Sequence, residues 1–180
     1  MEHASDRIRF IPITVKAGQL MIRNPVSFYA TYGFPRNKSW PHDGLKAILP
    51  FYVELLENER SELGFGPWMM VDRRVGEILG DIGFKGQPKY GMVEIGYYVV
   101  LSKRNQGFAT EAVKAMCNWA FQQSHVRTVE AQCDKRNLAS QQVLFNNGFN
   151  PISEKGAIIT FMKEKYSRAE KPGSTQDQHQ

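Results

Sequence analysis

Cysteine is nearly missing from this chain: Cys117 and Cys133 are the only two in 180 residues. Two thiols cannot build a disulfide framework, and their spacing fits no metal motif. Each falls in an apolar stretch and reads as a small buried hydrophobe. No apolar run is long enough to cross a bilayer, and the first residues lack the apolar centre of a secretory leader, so the chain reads as cytoplasmic with no membrane partner. There is no Lys/Arg block either. The net charge of +5 is spread over 23 basic and 18 acidic residues, which gives a nucleic acid no stripe to follow. The four His residues show no mutual spacing, so no metal site is expected. Neither Gly-x-Ser-x-Gly nor Gly-Lys-Ser/Thr occurs, which excludes a hydrolase nucleophile elbow and a P-loop.

What is present suits one soluble domain with a full-sized core: 42% hydrophobic and 23% charged residues. Met1 to Arg7 is polar and reads as a loose end. Ile8, Phe10, Ile13 and Val15 predict a first strand, with Pro12 at an edge or bulge. Short helical turns and loops follow to Pro41. Asp43 then has the character of an N-cap for a helix through Leu45, Leu49, Tyr52 and Leu56, despite Pro50. Trp68–Val71 and Glu77–Phe84 form a hairpin, and a strand carries Glu94. Val126–Cys133 is the next strand; Asn137 caps a helix that Gly148 ends in left-handed geometry. Phe149–Ser153 and Ala157–Lys163 are the last two strands. From Ser167 the composition predicts disorder.

The most informative stretch is Tyr97 to Thr110. Gly91–Leu101 is rich in β-branched and aromatic residues and predicts a strand. From Phe108 the apolar residues Phe108, Ala112, Met116 and Ala120 recur at helical spacing, with Glu111, Lys114, Asn118 and Gln122 on the opposite face. Between them lies a tight turn with Gly107 and Ala109. A strand passing through a small-residue turn into a helix presents free N–H groups and the positive end of the helix dipole, a seat for a phosphate or pyrophosphate.

Arg104-x-x-Gly107-x-Ala109 resembles the coenzyme A pyrophosphate loop of the GNAT superfamily of N-acetyltransferases, whose pattern is Gln/Arg-x-x-Gly-x-Gly/Ala. Glu94-Ile95-Gly96-Tyr97 before it and Ala109-Thr110-Glu111-Ala112 after it are similar to the branch that acetylates ribosomal-protein N-termini. Asn137-x-x-Ser140 and Gly148-Phe149 match that branch in the same order, so the resemblance covers roughly residues 70 to 165. It implies an α/β (α+β) fold: a mixed, mostly antiparallel sheet flanked by helices, with splayed strands forming the acyl-CoA cleft. A single domain would span 1–166, with a tail at 167–180. The implied activity is direct transfer of acetyl from acetyl-CoA, as co-substrate, to a primary amine in a ternary complex. The acceptor is a protein N-terminus or a small-molecule amine, and a homodimer is compatible with the family.

The same resemblance implies residue roles. Backbone at Tyr97, Tyr98 and Val99 would pair with the pantetheine arm, with an N–H near Val99 polarising the thioester. Arg104, Asn105, Gln106, Gly107, Phe108, Ala109 and Thr110 would wrap the pyrophosphate. Asn137 would bind pantetheine, cap its helix, or do both. Glu94 is the first choice as base, with an ordinary solvated strand carboxylate as the alternative. Glu130 is in reserve, since Gln132 stands where some relatives place a Glu. Leu144 and Phe145 occupy the neighbourhood of the family's acidic Tyr and cannot donate a proton; the resembling branch implies instead that Ser140 hydrogen-bonds the coenzyme sulfur, with an ordinary first-turn helix Ser making local bonds as the alternative. Phe28, Tyr29, Tyr32, Phe34 and Trp40 either wall the acceptor pocket or fill the core. Two rivals remain open: a catalytically weak CoA-binding regulatory module, and a nucleic-acid binder using the positive charge.

Overall fold

The structure, a computed structural model, describes residues 3–60 and 62–165, so the expected tail at 167–180 lies outside the described residues. The chain begins β1 (His3–Ala4), β2 (Ile8–Pro12), α1 (Val15–Arg23), α2 (Pro25–Tyr32) and α3 (Asp43–Glu57). It continues β3 (Pro67–Asp72), β4 (Ile78–Phe84), β5 (Met92–Val99) and α4 (Phe108–Gln122). It closes with β6 (Thr128–Asp134), α5 (Leu138–Asn146), β7 (Asn150–Lys155) and β8 (Ile158–Glu164). The strands form one sheet in the order β1-β2-β3-β4-β5-β6-β8-β7, antiparallel except for the parallel pair β5–β6. The fold is the expected mixed α/β class.

Strand alternation sorts the core into two layers. Trp68 and Met70 of β3 face α4, where they pack with Phe108, Ala112, Met116 and Trp119. Met69 and Val71, one residue out of phase, face α1–α3 and pack with Met21, Phe28, Trp40, Leu45 and Leu49. β3 and β4 are covered on both sides, which is why their sequences read as nearly continuous apolar runs. Cys117 and Cys133 are buried free thiols, as their apolar surroundings predicted, and burial pushes the Cys117 thiol up to about 12.

Three local expectations need correction. The first strand ends at Pro12, and Val15, read as part of it, instead opens α1 behind Thr14, whose hydroxyl caps the helix by accepting the Ala17 N–H at 3.2 Å. The helix at Asp43 is capped by His42 instead: its Nδ1 accepts from the Gly44 N–H at 3.1 Å, and Asp43 is the first helical residue. The segment before β2 is also not loose over its described part, because His3–Ala4 pair with Arg9–Phe10 and Arg7 is tied to α4. The turn after α5 behaves as read, with Gly148 at φ +75°.

Candidate active site

β5 and β6 run side by side only through Met92↔Thr128, Val93↔Val129 and Glu94↔Glu130. Beyond that point β5 stays bonded to β4, and β6 stays bonded to β8, so the two halves of the sheet part. The direction of the exposed backbone follows from antiparallel alternation. Lys85 N–H donates to the Glu94 carbonyl and Val100 N–H to the Leu79 carbonyl, so even-numbered residues of β5 face β4. The N–H and C=O groups of Tyr97 and the N–H of Val99 therefore turn towards the gap, an edge that can accept an added strand, while the Val99 carbonyl is taken by Arg104.

The edge leads through a 3-10 turn at Leu101–Lys103 into the loop before α4. Asn105 (φ +58°) and Gly107 (φ +80°) both adopt left-handed backbone, which curls successive amides to one side. Gly107 is the N-cap of α4 and has no side chain to cap it. Among the described residues, the amides of 106–110 donate to no protein acceptor, while Glu111 N–H makes the first helical bond to the Gly107 carbonyl. Phe108 offers only its backbone, since its ring is buried against the sheet. The Arg104 side chain does not project freely from the loop. Its Nε donates to the Val99 carbonyl at 2.9 Å, and its guanidinium lies 5.4 Å from the Tyr98 ring centroid.

The loop is strapped from a direction that its own sequence does not reveal. Arg7 pairs with Glu111 (2.6 Å), donates to the Gln106 carbonyl (3.0 Å) and lies over the Phe108 ring (4.4 Å). The Arg7 N–H and the Ser5 hydroxyl donate to the other Glu111 oxygen, at 2.8 and 2.7 Å. Partial burial pushes the Glu111 carboxyl up, but these hydrogen bonds and the guanidinium together bring it below its ordinary value. The strap holds a guanidinium beside amides that already favour an anion.

Across the gap, Asn137 caps α5 by accepting the Ser140 N–H on its Oδ1 at 3.0 Å. The hydroxyl of Ser140 lies 2.7 Å from the Tyr97 hydroxyl, which reaches over from β5. Burial pushes the Tyr97 hydroxyl up to about 12, against the pull of the Ser140 bond. Tyr97 thus stays protonated at neutral pH; its hydroxyl also reaches the Ser140 carbonyl at 3.2 Å, so one phenol holds both the backbone and the side chain of Ser140. Leu144, at the position of the family's tyrosine, is fully enclosed in the core. Asn147 fixes the other end of α5 through its Nδ2, which donates to the Thr110 carbonyl at 3.2 Å.

Glu94 and Glu130 stand directly opposite each other as the last pair before the strands part. Glu94 lies with Tyr98 and Val100 on the α1–α3 face, as alternation required, and forms an ion pair with Lys85. The same face carries an unforeseen cluster. Asp81, the register partner of Tyr98, is buried and accepts the Trp40 Nε1–H at 2.8 Å. His42 Nε2 lies 3.3 Å from its other oxygen, and the imidazole stacks on Tyr98 with centroids 4.0 Å apart. Since His42 Nδ1 accepts from Gly44, the ring proton resides on Nε2 and points at Asp81. Asp81 therefore clamps the Trp40–His42 segment to the sheet. Of the five aromatics weighed above, Phe28, Tyr29, Phe34 and Trp40 are core residues and Tyr32 packs against them.

Comparison with known proteins agrees with this geometry. The profile of the acetyltransferase (GNAT) domain matches residues 14–150. An uncharacterized N-acetyltransferase of Bacillus subtilis, YjdG, is 35% identical over 118 residues, covering 65% of this chain and 70% of that protein. The ribosomal-protein-serine acetyltransferase of Escherichia coli is 27% identical over 124 residues, covering 63% and 68%. The solved structure of RimL, a ribosomal-protein alpha-N-acetyltransferase in complex with coenzyme A, superposes with a TM-score of 0.63 at 14% identity, covering 91% of this chain and 98% of that one. The chain therefore belongs to the GNAT family of acetyl-CoA-dependent N-acetyltransferases.

Proposed function

We infer that this protein, as a single domain over 1–166, acetylates a primary amine at the β5–β6 fork, and that the amine is the N-terminus of a polypeptide. The observation that carries the site is the continuity of the open Tyr97–Val99 edge with the uncapped amides of 106–110. Acetyl-CoA supplies the activated acetyl group. The loop amides, with Arg7 behind them, hold the pyrophosphate, and Asn137 keeps an amide Nδ2 available for the pantetheine arm while its Oδ1 caps α5. The Val99 N–H serves the thioester oxygen as negative charge develops on it, where one such donor is typically worth ~10²–10³ in rate.

The proton inventory closes on this chain's residues and water. The ammonium acceptor first loses one proton to water, with Glu94 as terminal base and Glu130 beside it. Strand rise makes direct transfer untenable, since five residues at ~3.3 Å each separate Glu94 from Val99. The neutral amine then forms the amide bond as the C–S bond breaks, and the nitrogen's second proton ends on the departing sulfur. Ser140, held by Tyr97, donates a hydrogen bond to that sulfur without giving up its own proton. A protein N-terminus is favoured over a small amine by the ribosomal-protein acetyltransferases among the relatives.

Calorimetric titration with acetyl-CoA, and with desulfo-CoA in parallel, tests the site. Micromolar binding that Gly107→Trp abolishes is expected, because an indole at φ +80° would fill the anion seat. Absence of binding would remove the enzyme reading. Binding with no turnover on any peptide or small amine would favour a regulatory module.

A further inference from the structure

A cavity of about 380 Å³ lies within the α1–α3 layer, lined by residues of α1, α2, α3 and the loop at 36–41. Its buried lining is largely apolar, with Met21, Leu49 and Trp40, and its exposed lining carries Arg36, Lys38 and Lys46. Among the described residues, no carboxylate lines it. Lys46 pairs with the fully exposed Asp43, but among the described residues Arg36 and Lys38 have no ion-pair partner. The uncharged polar side chains on the lining are all engaged inside the protein. Tyr29 donates to the Trp40 carbonyl at 2.6 Å, and Trp40 donates to Asp81. Asn37 donates to the Ile78 carbonyl at 3.1 Å and accepts from the Ser39 amide at 2.9 Å. The side chains left to recognise a ligand are therefore cationic heads beside an apolar lining.

Building on the acetyltransferase reading, we propose that this cavity seats the chain that follows the acceptor amine, and that this chain is an acidic peptide segment with an apolar anchor. Charge complementarity selects carboxylates for the cationic heads, and the apolar lining takes an aliphatic or aromatic side chain. A nucleotide fits worse, because the lining has no free amide or hydroxyl edge with which to read a base. The cavity is tied to the reaction side through one residue: Trp40 is among its lining residues, and its indole N–H bonds to Asp81, the register partner of Tyr98 on β5.

The test uses an N-acetylated, C-amidated peptide of alternating Glu and Leu, which binds as a product and needs no turnover. Its control carries Lys for Glu. Calorimetry at low salt should show the acidic peptide binding at least about tenfold more tightly than the basic one. Arg36→Glu combined with Lys38→Glu, both at exposed positions, should erase that preference while acetyl-CoA affinity stays unchanged. Equal affinity for the two peptides, or a preference that survives the charge reversal, overturns the proposal. Adenosine monophosphate binding as tightly as the acidic peptide, with the same sensitivity to charge reversal, would make the cavity a general anion seat and also overturn it. Acetyl-CoA titrated into the same samples reads the parent function separately. Peptide binding without coenzyme binding would overturn the acceptor role and locate the failure in the enzyme reading.

Discussion

Tyr97→Phe removes one oxygen and keeps the ring, so it isolates the hydrogen bond to Ser140. The 2.7 Å contact leaves Ser140 partly buried and held from one side. Its loss should cost about 0.5–1.5 kcal/mol in stability, the usual net value of a neutral hydrogen bond. The functional effect is separable, because Tyr97 acts only through Ser140. A hydroxyl donating to a thiolate is worth about 1.5–3 kcal/mol, so Ser140→Ala should raise the pKa of the bound coenzyme A thiol by about 1–2 units and slow turnover about 10–150-fold. Tyr97→Phe should give a smaller change in the same direction, about 3–10-fold in rate, and the double variant should match Ser140→Ala alone. Ultraviolet titration of the bound thiol reads this without any acceptor. Because burial holds the Tyr97 hydroxyl near about 12, the wild-type pH–rate profile should show no tyrosine ionisation through the ordinary value of 10.0. Effects that multiply in the double variant, or a Tyr97→Phe enzyme with unaltered thiol ionisation, would refute the positioning role.

Glu94→Gln should slow acetyl transfer about 10²-fold with coenzyme affinity unchanged; an unaffected rate, together with a slow Glu130→Gln variant, would move the base across the fork. Asp81→Asn leaves one acceptor oxygen for the two N–H groups of Trp40 and His42, so one of them loses its partner, and should raise KM for the amine about tenfold without altering that for acetyl-CoA, whereas equal shifts in both would contradict a clamp confined to the acceptor wall. Glu111 has a folded pKa below its ordinary 4.5, so its contribution is complete above that value and disappears as pH falls through the lower folded one. Glu111→Gln should therefore lower Tm by about 2–4 °C at neutral pH and by nothing in strong acid, and a difference that persists in acid would sink the assignment.

Features with a local cause could be read directly from the chain. Gly107 and Gly148 sit where the backbone turns left-handed, and such turns demand Gly within a few residues of a strand or helix end. The α4 stripe of Phe108, Ala112, Met116 and Ala120 is a matter of period alone, and all four are buried. The contacts that give the site its chemistry join distant positions. Tyr97 and Ser140 are 43 residues apart, Trp40 and Asp81 are 41 apart, and Ser5 and Glu111 are 106 apart. None of these pairs has a spacing rule, because register and layer packing bring them together. The polar start of the chain shows the consequence. Arg7 carries no apolar pattern and so looked unstructured, yet its guanidinium holds the loop that the motif made conspicuous. Asp43 looked like the better cap by residue type, but His42 can both cap α3 and reach Asp81.

The arrangement on the α1–α3 face also decides which nearby group is not the base. His42 lies against Tyr98, much nearer the open edge than Glu94, and its pairing with a buried carboxylate has the outline of an activated imidazole. Its protonation state argues otherwise. The Nε2 proton is directed at Asp81, and the only lone pair, on Nδ1, already accepts the Gly44 amide in the first turn of α3. Taking a proton from the acceptor would set an N–H against an N–H and uncap the helix, a cost of about 0.5–2 kcal/mol before any chemistry begins. Gly44→Ala probes this contact, because an added Cβ would fall 2.8 Å from the imidazole Cε1 and push the ring off its seat. If His42 only shapes the acceptor wall, that variant loses amine affinity and keeps the pH dependence of kcat. A shifted pH profile would restore the imidazole as base and relieve Glu94 of the role.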